Sequence, residues 1–277
     1  MNQQLQAILA QKQIEIAALP PTPRSSTGEE AIKEDCGTFE QALRQPGVSI
    51  IAEVKRRSPS AGSLLDEIDA DLLAQRYAAN GAAAISCLTD QKFFGAQGSD
   101  LADVRRAVNI PVLRKDFIID ERQIGHSAVL QADAILLIVR ILSPQRLASL
   151  HQYATDCGLD VLVETHDAEE IATAIDAGAR IIGVNNRDLD DFSTDFERCL
   201  RLRDRIPSDC IAVAESAIDT ACDIERLNQA GFDAALIGTA LVTATDVEET
   251  LQGFVAAGSK KDSEIQADDK MQREVVL

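Results

Sequence analysis

Short apolar runs recur along the chain, at Ser49–Val54, Ala83–Leu88, Pro111–Arg114, Ala132–Ile138, Asp160–Glu164, Arg180–Asn185, Cys210–Ala214 and Ala234–Gly238. Each is too short for a buried helix and bounded by polar or glycine-containing segments, so each predicts a strand apolar on both faces. Between them, Ala70–Asn80, Pro144–Cys157, Ala168–Ala177 and Cys222–Ala230 place apolar residues at helical spacing. Asn80-Gly81, Ala177-Gly178 and Ala230-Gly231 supply left-handed helix stops. Strands buried on both faces and alternating with helices imply a parallel sheet, and eight such units predict an α/β fold of the (β/α)8 TIM-barrel type. A doubly wound open sheet is the alternative. Against it, Glu53-Val-Lys-Arg-Arg-Ser58 stands after the first strand, where that fold carries a glycine-rich phosphate loop.

The ends read differently. Residues 1–47 form an N-terminal helical extension: Leu5, Ile8, Leu9 and Ile16 make a weak helical stripe that Leu19-Pro-Pro-Thr-Pro23 breaks. Residues 48–257 are the catalytic barrel. Residues 258–277 are mixed in charge and poor in apolar groups, the composition of a disordered tail. The start, MNQQLQAILAQKQ, lacks the pattern of a secretory signal, and the longest apolar stretch stops at Arg140, too short for a bilayer. Cytoplasmic residence is expected.

Composition narrows the partners. The chain has 45 acidic residues against 27 Lys plus Arg, a net charge of -18. Such a balance argues against nucleic acid and anionic membranes, both of which call for a cationic face. It still allows an anionic small molecule if a few cations are focused in one cleft. Cysteines 36, 87, 157, 199, 210 and 222 show no CxxC spacing and read as reduced thiols. His126, His151 and His166 lack metal-ligand spacing and are explained as solvated loop or helix positions.

In a (β/α)8 barrel the chemistry gathers at the carboxyl ends of the strands. Here those ends carry Glu53 and Lys55, Lys115, Glu164, Asn185 and Arg187, Glu215 and Ser216, and Gly238-Thr239. A single charge past a strand is ordinarily the solvated start of a loop, but Glu53, Lys55, Lys115, Glu164 and Glu215 lie on strands whose neighbours point into a core. Charges stay buried only when paired or functional. Together they form a ring of alternating charge suited to acid–base work: an ammonium to protonate a carbonyl or hold a carboxylate, and a glutamate to take a proton. The amides near Ser216-Ala217 and Gly238-Thr239 suit a phosphate.

These segments resemble the indole-3-glycerol phosphate synthase family. The resemblance runs from about Leu5 to Ala256. It rests on Ile51-Ala-Glu-Val-Lys-Arg-Arg-Ser-Pro-Ser60, Lys92-Phe-Phe-Gly95, Pro111-Val-Leu-Arg-Lys-Asp-Phe-Ile-Ile-Asp120, Leu162-Val-Glu-Thr-His-Asp167, Ile182-Gly-Val-Asn-Asn-Arg-Asp-Leu189 and Val213-Ala-Glu-Ser216. It implies closure of 1-(2-carboxyphenylamino)-1-deoxyribulose 5-phosphate to an indole with loss of carbon dioxide and water, without metal or organic cofactor. By position, Lys115 is the general acid and Glu164 serves the dehydration. Lys55 holds the substrate carboxylate, and Glu53 and Asn185 orient these groups. Arg187, Glu215 and Ser216 complete the polar wall. Phe94, Phe117, Leu136 and Leu189 enclose the aromatic ring, while Ser58, Ala217, Gly238 and Thr239 hold the phosphate. The resemblance also implies that the N-terminal extension, residues 1–47, covers the barrel mouth, and it admits other enzymes of tryptophan biosynthesis as partners. Three departures stand out: Ala217 where the family has Gly, the stretch Gly95-Ala-Gln-Gly-Ser99, and Arg122 in place of a tyrosine.

Three other readings compete. A phosphoribosylanthranilate isomerase would carry a Cys/Asp acid–base pair at the ends of strands one and six, whereas strand one of this chain offers Glu53 and Lys55. A paralogue performing a related cyclisation would keep the same Lys/Glu apparatus. A non-catalytic barrel would have no use for Lys55, Lys115 and Glu164 together.

Overall fold

The computed structural model describes residues 3–20, 38–58, 62–63 and 69–259, with backbone alone at 58 and 62–63. Cys36, the acidic segment Glu29–Asp35 and residues 260–277 of the charged tail lie outside the described residues. Eight parallel strands close into a barrel: β1 (Ser49–Val54), β2 (Ala84–Leu88), β3 (Val112–Lys115), β4 (Ala134–Ile138), β5 (Asp160–Thr165), β6 (Ile181–Asn185), β7 (Ile211–Glu215) and β8 (Ala234–Ile237). Each strand pairs with its neighbours in sequence, and β1 pairs with β8 to close the ring, Ser49 opposite Ala234. The expected α/β barrel is therefore the observed one.

Two cores follow from the period-two alternation of strand side chains. Outward residues such as Ile50, Ile85, Ile135, Val163, Ile182 and Ala212 pack against the surrounding helices. Inward residues Ile51, Ala84, Leu113, Ala134, Leu162, Ile181, Ile211 and Ala234 fill the lower barrel. Two or four residues further along β1, β3, β5, β6 and β7, an inward position turns polar, as Glu53, Lys115, Glu164, Asn185 and Glu215. The register sets them level: Asn185 lies opposite Glu215, and Glu164 opposite Gly183.

The four helices expected from periodicity form at Ala70–Ala79, Pro144–Asp156, Ala168–Asp176 and Ala221–Ala230. Others, including Asp100–Ala107, Glu121–Val129, Glu197–Leu202 and Val247–Gly258, complete the outer ring. The last of these runs through Gly258, whose carbonyl accepts from Val48 N at 2.8 Å, so this residue belongs to the barrel rather than to the tail.

The two described helices of the N-terminal extension lie at opposite ends of the barrel, so among the described residues only the first is at the mouth, where the whole extension is expected. Helix Gln3–Ala18 sits at the mouth, where Leu5 and Ile8 line the cavity. Helix Phe39–Leu43 closes the opposite end. Its Phe39 and Leu43 are fully buried among the lower inward residues, and Glu40 N donates to Asp160 Oδ2 at 2.9 Å at the start of β5. The cause is the apolar floor of the barrel, which needs a cover that two large apolar side chains supply.

Candidate active site

A cavity of about 310 Å³ opens at the carboxyl ends of the strands. Glu53, Lys55, Lys115, Glu164, Asn185, Glu215 and Ser216 all line it, as do Arg187, Phe94, Phe117, Leu136, Leu189, Ala217, Gly238 and Thr239. Of the residues singled out from sequence, Ser58 alone is not brought into the cavity by what is described, because its side chain lies outside the described residues. Lys55 Nζ lies 2.9 Å from Glu53 Oε1 and donates to Thr239 Oγ1 at 3.1 Å. Lys115 Nζ lies between two acids, 3.3 Å from Glu164 Oε2 and 3.4 Å from Glu215 Oε2. Phe94 and Phe117 face each other with centroids 6.2 Å apart.

Two glycines make this crowding possible. A Cβ on Gly183 would overlap Glu215 Oε1, and one on Gly238 would overlap Glu53 Oε1 and crowd Lys55 Nζ. Gly183 is an inward position inside β6, beside the strand of Glu215, and Gly238 follows β8, beside the strand of Glu53, so each missing side chain leaves room for the neighbouring strand's carboxylate.

Three buried carboxylates share two ammonium groups, so they cannot all ionise alike. Burial raises the proton affinity of Glu53, but Lys55 and then Lys115 outweigh it and hold the carboxyl below its usual range. Glu164 is likewise pushed up by burial and held low by Lys115, His166 and Asn185. Glu215 is the odd one out: burial, with Glu164 and Glu53 nearby, pushes it up to about 7 against the pull of Lys115. Burial disfavours the Lys115 ammonium, yet Glu164, Glu215 and Glu53 together raise its affinity above the ordinary lysine value. Lys115 is therefore a charged donor at neutral pH.

The Glu215 shift makes stability depend on pH. In the unfolded chain this carboxyl ionises near 4.5, and in the folded protein near 7. Across that window the folded state keeps a proton that the unfolded state has lost, so stability falls as pH rises. Glu215→Gln is expected to remove that fall, a difference on the order of 3 kcal/mol between pH 4.5 and pH 8. Urea denaturation of both proteins at the two pH values checks it; parallel curves would contradict it.

Ser216 and Ala217 follow β7 with φ of 65° and 53°, both left-handed. The methyl of Ala217 therefore stands where a glycine would be unstrained, at the wall of the cavity. A left-handed alanine costs about 1–2 kcal/mol, and glycine gives back about 0.4–1 kcal/mol through unfolded-chain entropy. Ala217→Gly is expected to raise stability by up to about 1 kcal/mol and to lower KM for a phosphorylated substrate. A less stable variant in denaturant titrations would contradict this reading of the turn.

Beyond the cavity wall, the loop after β6 is pinned from both sides. Arg187 N donates to Asn185 Oδ1 at 3.0 Å, and Asp188 meets Arg140 at 3.4 Å and Arg198 at 3.3 Å. Asn186 Nδ2 donates to the Ser216 carbonyl at 3.0 Å, tying this loop to the turn after β7. Arg122, the departure from the family tyrosine, pairs with Asp120 at 2.8 Å.

Two features were missed from sequence. Lys12, on the N-terminal helix, is 1% exposed and lies 2.8 Å from both Asp90 and Asp116, at the ends of β2 and β3. Its signal was its place in the stripe Leu5, Ile8, Lys12, Ile16, all buried on one face. His166 is a correction: it is 3% exposed rather than solvated, because the start of helix Ala168–Asp176 folds it back beside Glu164. Among the described residues, no group of three or more His, Cys, Asp or Glu is set to hold a metal ion.

With this geometry in view, comparison with known proteins decides the family. The model of the family "Indole-3-glycerol phosphate synthase" matches residues 5–254. The chain belongs to the indole-3-glycerol phosphate synthase family. It is 47% identical over 252 residues to the indole-3-glycerol phosphate synthase of Chlorobium chlorochromatii, a match covering 89% of this chain and 98% of that protein. It is also 47% identical over 217 residues to indole-3-glycerol phosphate synthase 2 of Streptomyces coelicolor, covering 78% and 84%. Among solved structures, thiamine phosphate pyrophosphorylase from Pyrococcus furiosus superposes with a TM-score of 0.58 at 15% identity, over 78% of this chain and 96% of that one. A mandelate oxidase mutant gives 0.54, also at 15% identity, over 77% and 74%. These two share the barrel and nothing finer. No helix among the described residues is long and apolar enough to cross a membrane.

Proposed function

We propose that this chain is an indole-3-glycerol phosphate synthase, converting 1-(2-carboxyphenylamino)-1-deoxyribulose 5-phosphate to indole-3-glycerol phosphate, carbon dioxide and water. The observation that carries the reading is Lys115 Nζ held between Glu164 and Glu215 at the mouth of the cavity, in a chain of this family. The ring carbon bearing the carboxylate attacks the ribulose carbonyl carbon, and Lys115 gives its proton to the carbonyl oxygen as the new bond forms. Loss of the carboxylate as carbon dioxide returns its bonding electrons to the ring. Dehydration then expels the former carbonyl oxygen as water, with Glu164 in the proton transfers, and leaves the indole double bond.

The other groups bind and orient. Lys55, braced by Glu53, meets the substrate carboxylate. Phe94, Phe117, Leu136 and Leu189 form the apolar wall for the aromatic ring, and their low dielectric strengthens each charge contact. Ser216-Ala217 and Gly238-Thr239 follow the neighbouring strands β7 and β8, line the cavity and suit the phosphate, with Ser58. Asn185 and Arg187 orient the sugar hydroxyls. The substrate class is a phosphorylated small molecule, and we assign the reaction to the cytoplasm, beside the other enzymes of tryptophan biosynthesis.

The test is direct. Purified protein supplied with the carboxyphenylamino-deoxyribulose phosphate is expected to give an indole fluorescence signal that grows with time and enzyme concentration. A folded protein that gives none overturns the reading.

A further inference from the structure

His166 has no place in the roles above, yet it is buried against Glu164 and connected behind to two further charges. Its Nδ1 lies 3.0 Å from Glu170 Oε2, which also accepts from the His166 backbone N–H at 2.7 Å. Glu170 Oε1 accepts in turn from Arg140 Nε at 2.9 Å. Glu170 is held in its ionised form: burial opposes this, but His166 and Arg140 outweigh it. An ionised carboxylate only accepts, so the Nδ1 of His166 carries a hydrogen.

That assignment turns Nε2 toward Glu164. Nε2 lies 3.6 Å from Glu164 Oε1, and neither atom has a hydrogen-bond partner among the described residues. A bare Nε2 would set a lone pair against a carboxylate oxygen in a site closed to water, so the arrangement calls for a proton between them. The other oxygen, Oε2, faces Lys115. Each oxygen of Glu164 is thus directed to a different group.

We propose that His166 is a positioning residue for Glu164: anchored through Nδ1 by the Glu170–Arg140 pair, it holds the Oε1 side of the carboxylate through an Nε2 proton and so presents Oε2 to Lys115 and the substrate. This rests on the assignment of Glu164 to proton transfer. The logic is that of a base oriented by a third group. The charged groups facing the unit are Lys115 from β3, Glu215 from β7 and Glu53 from β1 on the cavity side. Glu170 and Arg140 face it from behind.

His166→Gln and Glu170→Gln, both close in volume to the residues they replace, test this. Turnover is expected to fall about 10- to 100-fold, the scale of a misplaced catalytic group, with KM within about twofold. The acid limb of the kcat–pH profile is expected to move up by about one pH unit in His166→Gln, because a donor that favours ionised Glu164 is gone. A merely structural histidine would lower kcat equally at every pH, and that result, or an unchanged kcat, overturns the proposal. A second readout needs no turnover: the Glu164 carboxyl carbon, followed by NMR in ligand-free protein, is expected to titrate at higher pH in His166→Gln than in wild type. An unchanged titration overturns the positioning role even if the wild type is an active synthase. A shifted titration in a wild type without synthase activity would uphold the contact while refuting the assigned reaction.

Discussion

Replacing Lys115 with methionine is expected to lower kcat by about 10³-fold or more, within the range a positioned general acid contributes, while the barrel stays folded. Methionine keeps most of the stem that packs along β3 and removes only the charge. In the wild type, burial works against the ammonium and three carboxylates outweigh it, so the proton is present throughout the neutral range. Without it, Glu164 and Glu215 lose their shared cation. At least one of them then takes up a proton, and the carbonyl oxygen meets no acid. Lys115→Arg is expected to rescue little, because a planar, bulkier guanidinium does not place its proton where the compact ammonium does between Glu164 and Glu215. Steady-state rates at saturating substrate, with near-ultraviolet circular dichroism to confirm packing, check this. A kcat within tenfold of wild type would remove Lys115 from the chemistry.

The second large effect is on stability. Lys12→Met is expected to cost about 3–5 kcal/mol, the usual penalty for breaking a buried ion pair from one side. Lys12 bridges Asp90 and Asp116, and both acids are nearly solvent-free. Burial pushes Asp116 up, but Arg114 and Lys12 hold it well below the usual carboxylate range. Asp90 also accepts from Phe93 N at 2.7 Å at the start of helix Gln91–Phe94. The lysine therefore fastens helix Gln3–Ala18 to the strand that ends in Lys115 and to the short helix that carries Phe94. A raised KM should accompany the loss, because Leu5 and Ile8 on the same helix line the cavity. Guanidinium denaturation and limited proteolysis of the N-terminal helix measure both parts. A change below about 1 kcal/mol, the range of an exposed pair, would contradict the account of this contact.

How much of this was legible in the sequence differs from one element to another. The strands were, because a run apolar on both faces has few other uses, and the polar residues at their ends followed from the same alternation. Helix Asp100–Ala107 was not: it buries little more than Leu101 and Val104, and half of its eight residues are charged. Helix Phe39–Leu43 falls inside the expected helical extension but was not legible as the floor of the barrel, since nothing in five residues says which end they cover. The candidate site shows the same division. Charges in apolar strands announce themselves, but Gly183 and Gly238 reveal their role only when the carboxylates that fill their empty side are seen. His166 looked like a loop residue because its partners come from β5 and from the following helix, and only the turn between them brings both within reach. Its spacing to Glu170 was the available sign, a histidine four residues ahead of an acid across a helix start.

The net charge of -18 also reads more narrowly against the fold. The cavity wall carries Lys55, Lys115 and Arg187 among its acids, so the mouth can accept an anion although the chain as a whole repels one.

The central claim is that these groups close an indole ring by expelling the substrate's carboxylate. Substrate labelled with carbon-13 at that carboxyl tests it most directly. The wild-type protein is expected to release labelled carbon dioxide and unlabelled indole-3-glycerol phosphate in equal amounts and at equal rates. A folded enzyme whose cyclised product keeps the label, or which releases none while consuming substrate, would contradict the account.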